Sequence, residues 1–174
     1  IPLRLVGSEM CIRDSPHPQQ VRLQQDKMDR LKERYAKNPD IDIQTDFSSN
    51  STVFEADLLV TDWSGIAYEY AFTTKKPVLF VDTPMKVMNP EYQKIDTVPI
   101  NIWMRDVIGD RLDPAKTEET ESKVRNLLEQ KDAYHDRIEK FVEEYVYNLG
   151  NSAEVGAKYI VQAVQEQIKK AKEQ

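Results

Sequence analysis

Residues 56–71, ADLLVTDWSGIAYEYA, combine small polar side chains with a pattern that could hold a phosphate group. A short apolar run, Leu58 to Val60, predicts a strand, and a helical pattern begins within a few residues of its end. In an open α/β sheet such a helix starts at the carboxyl edge, where its free backbone N–H groups favour an anion. Ser64 would add a hydroxyl there, and Gly65 would let an oxygen approach without a Cβ in the way. Ser64 and Gly65 are therefore the first candidates for a binding site.

Two carboxylates lie close to this strand-to-helix turn. Asp62 is a candidate N-cap for the helix, and Glu69 lies one turn into it, where a carboxylate could still reach a ribose hydroxyl. The same spacing also fits simpler roles: Asp62 or Ser64 could cap an ordinary helix, and Glu69 could be a solvated surface residue.

His17 is a second candidate, because it stands between Pro16 and Pro18 directly before a helical pattern. An imidazole held on such a stiff turn could act as a general base or, when protonated, hold a phosphate. An exposed histidine at the start of a helix fits the same residues.

The elements that would position these residues follow an α/β order. Residues 19–37 predict an amphipathic helix that ends at Asn38 and Pro39. Short apolar runs at 41–43, 58–60 and 78–81 predict strands, and the last two lack alternation, as expected for parallel strands covered on both faces. With a helix over residues 64–74, the segment from Leu58 to Val81 predicts a βαβ unit.

The rest of the chain divides into a loop and a helical third. Residues 84–114 are rich in proline and show no sustained period, which predicts a long ordered loop with one strand at Val98 to Ile102. Three helices follow, with Gly150 as a C-terminal cap and Asn151 and Glu154 at capping-box spacing. The residues of the last helix that are expected to face inward are Val155, Tyr159, Ile160, Ala163, Val164 and Ile168.

Composition excludes several functional classes. The 174 residues suffice for one domain with a core, and the net charge of −6 argues against sequence-independent nucleic-acid binding. The single cysteine, Cys11, excludes disulfide scaffolds and cysteine metal sites. There is no glycine-rich phosphate loop and no zinc-spaced cluster. Asp57, Asp62 and Asp82 could in principle hold magnesium at strand ends, but the sequence does not bring them together, so no metal site is predicted.

Residues 1–15 contain the peptide LVGSEMCIRDS. It is similar to a peptide that occurs at the ends of unrelated open reading frames, where it resembles translated library adapter. We therefore expect residues 1–15 to be non-native and residues 16–174 to form the domain.

The motifs around His17 and Ser64 resemble the C-terminal part of the CDP-glycerol glycerophosphotransferase family, bacterial enzymes that build teichoic acids and related wall or capsular polymers. In that family an Arg-Pro-His-Pro-like element precedes a helix, an Ala-Asp-x-Leu-Ile-Thr-Asp-Tyr/Trp-Ser-Ser/Gly segment follows, and a Lys-Pro-hydrophobic strand comes next. All three occur here in order, as Pro16 to Pro18, residues 56–71, and Lys76 to Phe80. Ser15 stands where the family has arginine, and the resemblance covers about residues 15–160.

The resemblance implies a GT-B architecture, in which this chain is the C-terminal, Rossmann-like donor-binding domain and the N-terminal acceptor domain is missing. It also implies that Ser64 and Gly65 hold the donor pyrophosphate, that Glu69 approaches the ribose and that His17 contacts a phosphate or assists proton transfer. Asp62 would either cap the helix or contact the donor. No cofactor is implied.

The activity implied for the full-length parent is transfer of a polyol phosphate from CDP-glycerol, or a similar CDP-polyol, to a hydroxyl of a lipid-linked polymer. The location implied is the cytoplasmic face of the membrane, with peripheral contact through the missing N-terminal part, and the fragment alone is expected to be inactive. Two alternatives stay open: a GT-B glycosyltransferase that uses a nucleotide sugar, and a non-catalytic nucleotide-binding or assembly module with the acidic helices of residues 118–172 as its partner surface.

Overall fold

Two parallel β units follow one another along the chain in a computed structural model that describes residues 11–46, 51–85, 89 and 91–172. In the first unit, β1 (Ile12–Asp14) pairs in parallel with β2 (Ile41–Ile43), with Ile12 opposite Ile41. Residues 12–14 lie in the segment interpreted as non-native, and the origin of that segment stays a prediction. The helix predicted over residues 19–37 is present as two helices, α1 (Pro18–Leu23) and α2 (Gln25–Tyr35). They are separated by Gln24, whose ψ of 50° departs from helical geometry.

The second unit contains the predicted βαβ arrangement. After α3 (Ser51–Glu55), β3 (Leu59–Thr61) leads into α4 (Ile66–Thr74) and then into β4 (Val78–Val81). The two strands pair in parallel, with Leu59 opposite Val78, so the βαβ prediction is confirmed. Helix α4 ends where Lys75 adopts a left-handed φ of 59° and its Nζ donates to the Phe72 carbonyl at 2.6 Å. This end of the helix matches the expectation that a cation is favourable there.

The segment from residue 84 to 114 differs from its prediction. The strand predicted at Val98 to Ile102 is wrong, because Pro99 begins a short helix there, α5 (Ile100–Trp103), which α6 (Arg105–Ile108) continues. A short apolar run fits a strand or a buried helix equally well, so periodicity could not decide between them. The strand lies further along, as β5 (Gly109–Leu112), and it pairs in parallel with β4. The described sheet therefore has the order β3-β4-β5.

Three helices complete the described chain: α7 (Thr120–Glu129), α8 (Lys131–Tyr145) and α9 (Ser152–Lys172). The core forms where α4, α6, α7 and α8 cover the sheet. Phe141 of α8 stacks on Phe72 of α4, with ring centroids 5.8 Å apart. Trp103 contacts the Phe141 ring edge-on, with centroids 5.5 Å apart. The buried hydrophobic residues of this core are Ala67, Tyr70, Ala71, Val78, Leu79, Phe80, Met104, Ile108, Leu112, Val124, Leu127, Tyr134, Ile138, Phe141 and Val142.

Helix α9 is present as predicted, but its apolar face is not buried. Tyr159 is 71% exposed and Ile160 is 64% exposed, so the prediction that this face points inward is wrong for the chain. Helical periodicity identifies an apolar face without identifying what covers it. Gly150 has the left-handed φ of +82° expected near a helix end, but α8 ends earlier, at Tyr145, so Gly150 belongs to the turn before α9.

The predicted fold class, α/β with parallel sheets flanked by helices and a helical C-terminal third, is confirmed. Among the described helices, none combines the length and the apolar character needed to cross a bilayer.

Gly109 provides a test of how tightly β4 and β5 are joined. A Cβ added at this position would lie 1.8 Å from the backbone oxygen of Val78, so neither strand could accept it without moving. We expect Gly109→Ala to lower the free energy of unfolding by about 1–3 kcal/mol, measured by urea denaturation. The matched control is Gly156→Ala in α9, where an added Cβ meets nothing within 4 Å and should be neutral or stabilising. Equal stabilities of the two variants would contradict the close approach of the strands.

Candidate functional site

The turn from β3 into α4 has the geometry that the sequence predicted. β3 ends at Thr61, and α4 begins at Ile66 with Gly65 as its N-cap. The N–H groups of Ala67 and Tyr68 already donate to the carbonyls of Ser64 and Gly65 at 3.3 and 3.1 Å, so the N–H groups left at the carboxyl edge of the sheet are those before them, of Gly65 and Ile66. Ser64 and Gly65 are both exposed, and an added Cβ at Gly65 would meet nothing within 4 Å. The turn is therefore open to solvent at both residues.

The side chains around this turn are not used to cap the helix. The N-cap of α4 is Gly65, in ordinary helical conformation, and no side-chain hydrogen bond caps the helix. The alternative that Asp62 or Ser64 acts as the N-cap is therefore wrong. Asp62 is exposed, as is Glu69 in the first turn of α4, where a carboxylate is favourable near the helix N-terminus. Asp62, Ser64, Gly65 and Glu69 are thus all exposed at or near the start of α4, and their binding roles stay predictions.

Trp63 fixes the inner side of this turn. Its Nε1 donates to the Thr83 carbonyl at 2.7 Å, which ties the turn after β3 to the turn after β4. The backbone N–H of Asp82 in turn donates to the carbonyl of Leu112, so the end of β4 is also joined to β5. The three strand ends at the carboxyl edge are therefore linked, and Trp63 packs rather than projecting to stack on a base.

Arg105 lies directly beneath this edge and is completely buried. Its guanidinium carbon is 3.8 Å from the centroid of the Trp63 ring and 4.5 Å from that of Phe80. Its Nη2 lies 2.8 Å from Oδ1 of Asp82, whereas Nε and Nη1 have no hydrogen-bond partner among the described residues. Burial lowers the pKa of Arg105 from its ordinary value, and the charge of Asp82 opposes that shift.

Asp82 connects the buried arginine to a second one nearer the surface. Arg111, in β5, has its Nη1 4.0 Å from Oδ2 of Asp82 and donates from Nη2 to Asp106 at 3.1 Å. Asp82 is 35% exposed and Arg111 is 37% exposed, so water reaches both of these groups. Arg105 is the residue of this cluster whose whole side chain is cut off from solvent, and Oδ1 of Asp82, which faces it, is buried as well.

His17 occupies the corresponding turn of the first parallel unit, between β1 and α1. It is exposed, and its Nδ1 accepts a hydrogen bond from the Gln19 N–H at 3.1 Å, which makes it the N-cap of α1. Because Nδ1 is an acceptor, the neutral imidazole carries its proton on Nε2. The free nitrogen is therefore a donor, which suits contact with a phosphate oxygen better than abstraction of a proton.

The structure does not join His17 to the turn at Ser64 within one sheet. β1 and β2 form one described sheet, and β3, β4 and β5 form the other. Among the described residues, no three His, Cys, Asp or Glu side chains come together as metal ligands would. Asp57, one of the strand-end carboxylates considered for magnesium, lies 3.4 Å from Nζ of Lys76.

Arg105 is the residue that the sequence failed to indicate. It falls in the segment expected to be a loop, where no period drew attention to it. The available signal was its setting: a single cation among Trp103, Met104, Val107 and Ile108, at a spacing that a helix would bury. A charge inside an apolar run of this kind requires a partner from elsewhere in the fold.

Comparison with known proteins identifies one family. The family model described as CDP-Glycerol:Poly(glycerophosphate) glycerophosphotransferase matches residues 8–164, which confirms the resemblance carried by the sequence motifs. The match spans the turn at Ser64 as well as His17 and the Arg105 cluster. Neither the search of curated proteins nor that of solved structures returned a match.

The unequal burial of Arg105 and Asp82 gives a prediction for stability. Asp82→Asn should lower the free energy of unfolding by about 1–3 kcal/mol, because it leaves a buried cation without a counter-charge or water. Arg105→Met should lower it by less than Asp82→Asn does, because the Asp82 side chain is 35% exposed and keeps Arg111 4.0 Å from its Oδ2, and because methionine packs well on aromatic rings. Urea denaturation of both variants measures the difference. A larger loss for Arg105→Met than for Asp82→Asn would contradict this role of burial in the pair.

Proposed function

Because the chain belongs to the CDP-glycerol:poly(glycerophosphate) glycerophosphotransferase family, we propose that the turn from β3 into α4 holds the diphosphate of a CDP-linked polyol donor. The observation that carries the proposal is the exposed Ser64-Gly65 pair at the start of a nine-residue helix on the carboxyl edge of a parallel sheet. Backbone N–H groups at such a position favour a phosphate through both hydrogen bonds and the helix dipole.

The roles of the neighbouring side chains follow from their positions. The Ser64 hydroxyl would donate to a phosphate oxygen, and the bare Cα of Gly65 would allow that oxygen to come close. Glu69 would accept from a ribose hydroxyl, and Asp62 would contact the donor rather than cap the helix. His17 would donate from Nε2 to a phosphate while its Nδ1 continues to cap α1.

In the proposed reaction, a hydroxyl oxygen of the polymer acceptor attacks the phosphorus that bears the glycerol. The new P–O bond forms as the bond to the bridging oxygen breaks, CMP leaves with that electron pair, and the hydroxyl proton passes to solvent or to the leaving phosphate. Negative charge grows on the phosphate oxygens during this step. The contribution of this chain is to position the donor and to stabilise that charge with fixed N–H and imidazole donors.

The wider setting is also part of the proposal. The chain would be the donor-binding half of a GT-B enzyme whose acceptor half is a separate, N-terminal domain, working at the cytoplasmic face of the membrane on a lipid-linked polymer. The exposure of Asp62, Ser64, Gly65 and Glu69 supports this arrangement, because a second domain would be needed to enclose the donor. Such an isolated half would bind the donor without turning it over.

A first test is titration of CDP-glycerol into the chain by calorimetry, with CMP and UDP-sugars as competitors. Ser64→Ala should weaken binding about tenfold, because a hydrogen bond to a charged group is lost. Gly65→Val should abolish it, because the new side chain projects into the space left for the phosphate. Preference for a UDP-sugar would instead indicate a nucleotide-sugar glycosyltransferase.

Gly156→Val is the matched control for Gly65→Val. An added Cβ meets nothing within 4 Å at either glycine, so the two substitutions should be tolerated equally by the fold. Only the change at Gly65 should affect binding. Retained affinity in both Ser64→Ala and Gly65→Val would exclude the turn as the donor site and favour the assembly-module alternative.

A second test separates the two roles of His17. His17→Asn preserves an N-cap acceptor but removes Nε2, whereas His17→Ala removes both. CDP-glycerol affinity should fall about tenfold in both variants, because both lose the donor to the phosphate. Backbone amide exchange over residues 19–23 should rise only in His17→Ala. Unchanged affinity in His17→Asn would show that the imidazole caps α1 and does not contact the donor.

A further inference from the structure

The buried guanidinium of Arg105 is not accounted for by stability. A cation removed from water is unfavourable unless hydrogen bonds satisfy it, and two of its three nitrogens, Nε and Nη1, have no such partner among the described residues. The ion pair with Asp82 and the two aromatic faces offset only part of that loss. An apolar side chain of similar length would fill the same space without the charge.

What the guanidinium does supply is a fixed orientation for Trp63. Its carbon lies 3.8 Å from the centroid of the indole, close enough for a direct cation–π contact. The indole is held at its edge by the Thr83 carbonyl and against its face by Arg105. Trp63 is adjacent in sequence to Ser64, so a fixed indole limits the backbone of residues 62–65.

We propose that Arg105 is a positioning residue for the donor turn, which acts through Trp63 to hold the Ser64-Gly65 backbone in its anion-accepting conformation. The proposal rests on the proposed function for the identity of the ligand. Arg105 does not touch the donor, since its nitrogens are buried beneath Trp63 and beside Asp82. A flexible side chain at this position would still fill the space but would not fix the ring, because the planar guanidinium is what stacks on it.

The first measurement is amide hydrogen exchange of the ligand-free chain. In Arg105→Met, exchange of the Ala67 and Tyr68 amides, which donate to the carbonyls of Ser64 and Gly65, should be about tenfold faster than in the unsubstituted chain, and exchange in α7 should be unchanged. Trp63→Leu should produce the same local increase. The double variant should be no faster than either single variant, because both changes remove the same contact. Unchanged exchange in Arg105→Met, or additive effects in the double variant, would overturn the proposal.

The second measurement is the affinity for CDP-glycerol. Arg105→Met should weaken binding about tenfold, and Arg105→Lys should not restore it, since lysine keeps the charge but not the planar stack. The matched control is Arg111→Met. This change removes a second cation paired to the same Asp82 but keeps the contact between Arg105 and the Trp63 ring. Equal weakening by Arg105→Met and Arg111→Met, or full affinity in Arg105→Lys, would mean that charge alone matters and would overturn the positioning role.

The two measurements separate this inference from the proposed function. Absence of CDP-glycerol binding by the unsubstituted chain would contradict the proposed function, and the exchange comparison would still decide whether Arg105 fixes the turn. Binding that is lost in Ser64→Ala but kept in Arg105→Met would support the donor site and overturn the role of Arg105.

Discussion

The carboxyl edge of the sheet is organised around a cation that cannot reach water. Arg105 lies between the rings of Trp63 and Phe80, and Asp82 is the carboxylate beside it. These three partners come from the turn after β3, from β4 and from the residue that follows β4. The Asp82 N–H also donates to the Leu112 carbonyl, so the ends of β3, β4 and β5 are linked to one another. Under the proposed positioning role of Arg105, these linked strand ends are the base on which the exposed turn rests.

In the proposed function, this base is what lets a small surface feature serve as a binding site. A helix N-terminus is a common structure, and most such termini bind nothing specific. Here the start of α4 is placed at the edge of a three-stranded parallel sheet, and the indole at its inner side is held at two points. A site on a turn of this kind loses little conformational entropy when a ligand binds, because the backbone is ordered beforehand.

The two candidate sites occur at equivalent places in two parallel units. β1 ends at Asp14 and His17 caps the following helix, while β3 ends at Thr61 and Gly65 caps α4. The carboxyl ends of parallel strands are where α/β proteins bind ligands, so the same architecture accounts for both positions. The family match spans both turns, and their service to one donor is part of the proposed function.

Sequence by itself determined the local elements and the residues at the turns. The unbroken apolar runs identified β3 and β4, the helical spacing identified α4, and the Asp62 to Gly65 segment lay where a strand gives way to a helix. These features depend on neighbours in the chain, so periodicity and backbone preferences report them directly.

Tertiary structure alone decided three other matters. It made a helix of residues 100–103 and a strand of 109–112, it left the apolar face of α9 exposed, and it placed Arg105 against Trp63. Each depends on contacts between residues distant in sequence, and a short apolar run or a lone arginine carries no local record of the partner that it will meet.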